Sequence, residues 1–379
     1  MPTLPHCSSS TGSWRTGPKN PRRVSRGKGG VDLVRLLRKL VACPTDREAY
    51  GLQLWVADLL ADLGFDVSLH EISPGKPAVY GVRGGGDLLL CSHVDTVPAL
   101  EHPEPYRLRT DGDRLIGRGA VDAKGQVAAL LYAVSRTRAP CQVLITADEE
   151  NDAFGSERAP VKASAAVVLE PTRFEVAVAQ AGYLEIELTV RGRSGHGVFP
   201  DRLENAIVAA FAAFDELTRL PLAAATHPLI PGTWLNPGRI EGGAGPMVVA
   251  WECRLEVDIG VLPPRTAADA VAELSAWAES RGFGFRVLDQ SDPFELDPEQ
   301  PVVKKLLGAA THVLGRTPVL TGYRAWTDAE NLNGRGIPAV IFGAGDLVYA
   351  HSAEEWVSLA DLEALSRILI RLLEDWSGP

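Results

Sequence analysis

Apolar residues recur along most of this chain in two alternating patterns, one typical of helices and one typical of buried strands. Helical spacing runs through VDLVRLLRKLVAC and KGQVAALLYAVSRT, whereas DLLLCSHV and AAVVLEP are continuous apolar runs of strand length. Strands that are apolar throughout and alternate with helices indicate a sheet with helices covering both faces. We therefore predict an α/β fold with a mixed, mainly parallel sheet.

From Tyr183 the pattern changes. YLEIELTVRG alternates like a half-exposed strand, and the segments after it follow the order β-α-β-β-α-β of a ferredoxin-like α+β domain. After Pro298 the alternation of helical and continuous apolar segments returns, so this small domain is predicted to be inserted in the large one. The predicted regions are a disordered basic head at 1–30, a large domain formed by 31–181 and 297–379, and an inserted domain at 182–296.

Composition and charge narrow the class of protein. A length of 379 residues favours two domains. The head holds six of the 38 basic residues and none of the 48 acidic ones, so the rest of the chain carries a net charge of −16, which argues against nucleic acid as a partner. No apolar run approaches the roughly 20 residues of a membrane span, so we expect no membrane association. Five cysteines without a CxxC spacing predict reduced thiols and a cytoplasmic location.

Five segments end apolar stretches with metal-type ligands: LLLCSHVDTVP, GRGAVDAKG, VLITADEENDAFGS, AAVVLEPT and VYAHSAEEW. The ligand-type residues in them are His93, Asp122, Glu149, Glu150, Glu170 and His351. Imidazoles and carboxylates are the ligands that borderline divalent ions accept, zinc first. Together the segments predict a two-metal site.

The spacing of these residues indicates their roles. In an extended chain His93 and Asp95 point to the same side, so Asp95 can orient a ligating His93; a structural His–Asp pair is the alternative. Asp122 follows a glycine-rich turn and could bridge two ions, or else cap the helix that begins near Lys124.

Glu149 and Glu150 are adjacent, so one is expected to bind metal and the other to act as general base; a solvated acidic turn is the alternative. Glu170 is the remaining carboxylate ligand, and only the fold can bring His351 to the site. His196 lies between glycines that allow a close approach to a ligand. Ordinary surface or helix positions are expected for His70, His102, His227 and His312.

The five segments, in this order, resemble the signature blocks of the co-catalytic zinc aminoacylase and carboxypeptidase family of metallopeptidases. The resemblance is strongest to the branch of acetylornithine deacetylase and succinyl-diaminopimelate desuccinylase, and it covers residues 31–379. It implies a catalytic metal-binding domain, and an inserted lid through which two chains form a homodimer. It implies two zinc ions, for which cobalt can substitute, one held by His93, Asp122 and Glu170 and the other by Asp122, Glu150 and His351. It also implies that Glu149 is the general base and that His196 reaches the partner's active site.

One departure from the family pattern concerns the substrate. Gly260 stands where the family has an arginine that contacts the substrate carboxylate, and Arg324, Arg254 and Asn236 are the candidate contacts in its place. The expected function is hydrolysis of the amide bond of a small N-acyl amino acid, as in acetylornithine deacetylase. The alternatives are a desuccinylase, a hydrolase of carrier-protein-linked lysine or ornithine, a dipeptidase or carboxypeptidase, and a metal-binding protein without turnover, which would have no use for Glu149.

Overall fold

The structure, a computed structural model, describes residues 31–151 and 153–378. The predicted disordered head lies outside the described residues. In chain order the helices are α1 (Leu33–Val41), α2 (Tyr50–Asp62), α3 (Lys124–Arg136), α4 (Phe154–Arg158), α5 (Ala206–Leu217), α6 (Ala267–Arg281), α7 (Pro301–Leu314), α8 (Ala329–Gly334) and α9 (Leu359–Asp375). The strands are β1 (Asp66–Ser73), β2 (Lys76–Arg83), β3 (Leu88–His93), β4 (Arg109–Asp111), β5 (Arg114–Ile116), β6 (Cys141–Thr146), β7 (Ala165–Val168), β8 (Val176–Gln180), β9 (Gly182–Arg191), β10 (Leu235–Gly242), β11 (Glu252–Val261), β12 (Gly284–Ser291), β13 (Phe294–Glu295), β14 (Leu320–Tyr323), β15 (Ala339–Ile341) and β16 (Trp356–Ser358). Within these residues, every helix is too short or too polar to cross a lipid bilayer.

The described residues form two compact units. The first extends to Lys162 and includes Ala344–Glu374. Its main strands lie in the order β1-β2-β6-β3, and β3 runs parallel to β6. Both of these strands are buried at every position, as their apolar runs predict. Because parallel strands end at the same edge of a sheet, His93 lies opposite Thr146, and the segments that follow the two strands begin side by side.

The second unit contains Ala163–Gly343. In it β7 runs parallel to β15, β15 antiparallel to β8, and β14 parallel to β8. Its other sheet has the order β10-β11-β9-β12 and is antiparallel throughout. The predicted order β-α-β-β-α-β is therefore present as β9, α5, β10, β11, α6 and β12. The exact bounds of an inserted domain stay a prediction.

The alternation seen in YLEIELTVRG has its physical cause in this antiparallel sheet. Leu184, Ile186 and Leu188 of β9 point to one face and are buried against α5 and α6. Each such side chain contributes roughly 1.5–3 kcal/mol when fully buried. The helix α6 has a defined start and end: Thr266 and Asp269 form a capping box at its start, and Gly282 ends it with φ 71°.

Two predictions about local structure were wrong. The segment QVLITADEE, whose apolar run predicts a strand up to Glu150, is a strand only as far as Thr146, so the two glutamates lie in a turn beyond it. His102 and His227, expected at ordinary surface or helix positions, have buried side chains. His102 lies in a loop, and its Nδ1 accepts a hydrogen bond from the backbone N–H of Glu104 (3.3 Å). His227 lies 3.4 Å from the carboxylate of Glu295.

Candidate active site

His93 is the last residue of β3 and is fully buried. Its Nδ1 lies 3.2 Å from the backbone carbonyl oxygen of Asp95 and 3.4 Å from the Asp95 carboxylate. The carbonyl oxygen can only accept, so Nδ1 carries a proton and Nε2 is the nitrogen available to a metal. Nε2 lies 3.2 Å from Oδ1 of Asp122.

The carboxylate of Asp95 has a second set of contacts that the sequence pattern does not indicate. It accepts hydrogen bonds from the backbone N–H groups of Glu149 (3.3 Å) and Glu150 (3.0 Å). A buried carboxylate next to His93 therefore also holds the turn that carries both glutamates. Residues so far apart in sequence leave no local signal, so only the pairing of β3 with β6 makes this contact foreseeable.

Asp122 places one carboxylate oxygen near each of two imidazoles. Its Oδ1 faces Nε2 of His93, and its Oδ2 lies 3.5 Å from Nε2 of His351. Burial acts to raise the pKa of Asp122, but the hydrogen bonds with His351 and His93 outweigh it and hold that pKa below its ordinary value. The capping alternative does not hold, because the N-cap of α3 is Ala123 and no side chain caps it.

The two adjacent glutamates face different histidines. Oε2 of Glu149 lies 3.8 Å from Nε2 of His93, whereas Oε1 of Glu150 lies 3.1 Å from Nε2 of His351. Hydrogen bonds with Asp122 and Glu150 raise the pKa of His351 to about 10. A solvated acidic turn does not describe these glutamates, since both side chains are largely buried and directed at imidazoles.

The chemistry of the donor atoms fits a divalent metal. Asp122, Glu150 and His351 each offer one ligand atom, and these atoms lie within 4.8 Å of one another. Imidazole nitrogen with carboxylate oxygen is a donor set that zinc and cobalt accept. Close packing of carboxylates and imidazoles in a buried place is costly without a cation or protons to balance the charge.

Two further predicted site residues lie in the second unit. Glu170 follows β7 by two residues and is buried, with 3% of its surface exposed. His196 is exposed and pairs with Val248 in an isolated antiparallel bridge. The glycine that follows His196 is required for steric reasons, because a Cβ at Gly197 would lie 2.7 Å from the carbonyl oxygen of Pro246.

A tryptophan ring lies over Gly260, the position at which the family resemblance leads us to expect an arginine. A Cβ on Gly260 would lie 2.4 Å from the indole of Trp234, so only glycine fits beneath this ring. The indole N–H donates to Oδ2 of Asp258 (2.6 Å). The guanidinium of Arg324 lies 5.2 Å from the centre of the ring, at cation–π distance.

The other two candidate substrate contacts lie on neighbouring strands of the second unit. Arg254 on β11 pairs with Glu252 (3.3 Å), which already neutralises its charge. Asn236 is an exposed residue of β10. Of the two candidate arginines, Arg324 has no carboxylate within salt-bridge distance in the part of the chain that the structure describes.

Comparisons with known proteins show what the chain is similar to. A model of the peptidase family M20/M25/M40 matches residues 89–375. An acetylornithine deacetylase from Myxococcus xanthus is 31% identical over 87% of this chain and 90% of its own length. An N-formyl-4-amino-5-aminomethyl-2-methylpyrimidine deformylase from Bacillus subtilis is 28% identical over 91% of this chain and 94% of its own. Among solved structures, a tripeptidase from Staphylococcus aureus has a TM-score of 0.76 at 20% identity, covering 91% of this chain and 99% of its own, and so shares the fold.

Proposed function

Since the chain belongs to peptidase family M20/M25/M40 and is a metal-dependent amidohydrolase, we propose that it hydrolyses the amide bond of a small N-acyl amino acid. The observation that supports this most is the position of Asp122, whose two carboxylate oxygens face two different imidazoles. A carboxylate so placed can bridge two cations, the arrangement that two-metal hydrolysis requires. The reaction class follows from the family, and the substrate is our proposal.

The proposed ligands form two sets that share Asp122. One set is His93, Asp122 and Glu170, and the other is Asp122, Glu150 and His351. We propose zinc as the metal, with cobalt as a substitute. When bound, two such ions polarise the scissile carbonyl and make water a stronger nucleophile.

Glu149 is the proposed general base. Its carboxylate lies 3.8 Å from Nε2 of His93, beyond hydrogen-bond distance, whereas Glu150 is within hydrogen-bond distance of His351. Glu150 is thus directed at a proposed ligand. By its resemblance to the family pattern, Glu149 is proposed to accept a proton from water and to pass it to the leaving amine. Asp95 holds both glutamates in this arrangement through their backbone N–H groups.

The predicted lid and dimer belong to the same proposal. Residues 182–296 are proposed as the lid, with His196 contributing a donor to the developing negative charge at the active site of a partner subunit. Of the candidate substrate contacts, Arg324 is the one proposed to bind the substrate carboxylate. The cytoplasm is the proposed location, since four cysteines of the described residues are free thiols.

Trp234 favours a second candidate substrate. The Trp234 ring covers Gly260, and an amine that carries an aromatic ring and no carboxylate would suit it better than an amino acid would. The Bacillus subtilis relative is named for the deformylation of such an aminopyrimidine. The two candidates therefore differ in whether the amine part of the substrate carries a carboxylate or an aromatic ring.

A substrate panel tests the proposal. The purified protein with zinc or cobalt is assayed on acetylornithine, succinyl-diaminopimelate, a set of dipeptides, lysine linked to a carrier protein and the N-formyl aminopyrimidine. The highest kcat/KM is expected for acetylornithine. A highest value for the aminopyrimidine would replace the first candidate with the second, and no turnover of any amide would contradict both.

A further inference from the structure

A buried carboxylate outside the proposed ligand set, that of Glu355, lies against the loop that carries Asp122. Its position follows from strand pairing. Trp356 of β16 pairs with Ile116 of β5, and the ladder continues by one residue, where the backbone N–H of Gly117 donates to the carbonyl oxygen of Glu355 (3.1 Å). The side chain of Glu355 is thereby brought to the glycine-rich loop at 117–122.

Both oxygens of this carboxylate have partners. Oε1 accepts from the backbone N–H of Val121 (3.1 Å) and from that of Asp122 itself (3.3 Å). Oε2 accepts from Nη1 of Arg118 (2.6 Å), and Nη2 of Arg118 donates to the carbonyl oxygen of Ala99 (3.2 Å). Glu355 and Arg118 are each 1% exposed.

The ion pair alone does not account for this arrangement. A buried pair is often no more stabilising than a hydrophobic pair of the same volume, because both charges lose their hydration. What distinguishes Glu355 is the use of its other oxygen, which binds the backbone of the residue whose side chain faces both His93 and His351. Arg118 binds the other oxygen of Glu355 and so aims the carboxylate at that backbone.

The same short segment also carries a proposed ligand. His351 lies four residues before Glu355, and its Nε2 is 3.5 Å from Oδ2 of Asp122. Glu355 therefore connects the loop of Asp122 to the segment of His351 at a second point, through the backbone. The separation between the side chains of Asp122 and His351 is therefore set before a metal binds.

We propose that Glu355, held by Arg118, is a positioning residue that fixes the Asp122 carboxylate between His93 and His351 before metal binds. This inference rests on the proposed metal site. It adds a residue that touches neither metal nor substrate, and whose effect is transmitted through the backbone N–H of Asp122.

Glu355→Gln is the variant that tests it. The side-chain amide keeps the shape of the carboxylate but has only one acceptor oxygen, so it cannot serve both Arg118 and the backbone N–H groups of Val121 and Asp122. Folding is checked first by the melting temperature of the metal-free protein. Cobalt chloride is then titrated into metal-free protein, and binding is followed by calorimetry and by the visible absorption spectrum of the bound ion.

Cobalt affinity is expected to fall by a factor of ~10 to 100, the usual effect of removing a partner that orients a ligand. The absorption spectrum of the bound cobalt should change as well, because the coordination geometry changes. Asp113→Asn is the matched control: Asp113 lies between β4 and β5 and its carboxylate also binds a backbone N–H, that of Ala360 (3.0 Å), but it contacts none of the proposed ligands. This control should lose stability without losing cobalt affinity.

The outcomes separate this inference from the proposed function. Wild-type protein that binds no cobalt contradicts the proposed metal site. Wild-type protein that binds cobalt, together with a folded Glu355→Gln of equal affinity and unchanged spectrum, overturns the positioning role alone. If Glu355→Gln does not fold, Arg118→Lys is titrated instead, since lysine keeps the charge but cannot reach Glu355 and Ala99 with one planar group. The same loss of cobalt affinity is expected, and unchanged affinity overturns the inference.

Discussion

Replacing Asp95 tests how far one buried carboxylate organises the site. Asp95→Ala removes the acceptor of two backbone N–H groups, those of Glu149 and Glu150, and the carboxylate 3.4 Å from Nδ1 of His93. A hydrogen bond to a charged group contributes about 1.5–3 kcal/mol. Two such bonds set an upper limit of about 6 kcal/mol. Because the two backbone hydrogen bonds are part-buried and water can replace some of the lost contacts, we expect a loss of about 2–4 kcal/mol.

Urea unfolding of the metal-free protein measures this loss. Asp95→Asn should lose less, about 1–3 kcal/mol, because its single acceptor oxygen can still serve one backbone N–H. Turnover should fall in both variants, since the turn that carries Glu149 is no longer held. A loss below about 0.5 kcal/mol in Asp95→Ala, the range of ordinary surface changes, would refute this account of Asp95.

Asp148→Asn serves as the control for Asp95. Asp148 is a buried neighbour whose Oδ1 accepts a hydrogen bond from the backbone N–H of Gly155 (3.1 Å). Its replacement should lower stability while reducing turnover less than Asp95→Asn does. Equal losses of turnover would mean that any disturbance of this turn has the same effect.

Three further predictions concern single residues. Glu149→Gln should keep its bound metal and lose a factor of ~100 to 10,000 in kcat; loss of the metal in metal analysis would contradict its role as base. The pKa of His351 is raised to about 10, so in the metal-free protein at pH 7 its imidazole is protonated, and zinc binding must release that proton. Zinc affinity should therefore rise with pH up to about 10. Calorimetry in buffers of different ionisation enthalpy measures the proton release, and zinc binding without proton release at pH 7 would contradict the prediction. His196→Ala should lower turnover at unchanged metal content, and mixing it with Glu149→Ala should restore activity; no recovery in a preparation shown to exchange subunits would place His196 outside a partner's site.

The fold was largely predictable because the local pattern of apolar residues identifies its buried strands and amphipathic helices. Continuous apolar runs mark β3 and β7, and alternation marks β9. Short strands at the edges of sheets escaped prediction, as β14 and β16 did, because three or four residues carry too little pattern. Strand ends were less predictable still, which is why β6 was expected to reach Glu150.

The residues of the candidate site also differ in how far the sequence alone could identify them. His93 and Asp122 could be predicted because each lies in a segment whose local pattern is informative: a strand end and a glycine-rich turn. The contact between Asp95 and His93 could be predicted as well, but the longer-range contacts around the site could not. Asp95 binds residues more than fifty positions away, and Glu355 binds Asp122 across more than two hundred. Glu355 lies in the same segment as His351, but nothing in the sequence SAEEW distinguishes a positioning glutamate from a solvated one.

The metal content of the protein tests the central claim most directly. Protein purified with zinc or cobalt and dialysed free of unbound metal is analysed for metal per chain, then stripped with a chelator and assayed again on the amide that it hydrolyses best. The account predicts close to two ions per chain, loss of activity on stripping and recovery when either metal is restored. Full amidase activity in metal-free protein would contradict it.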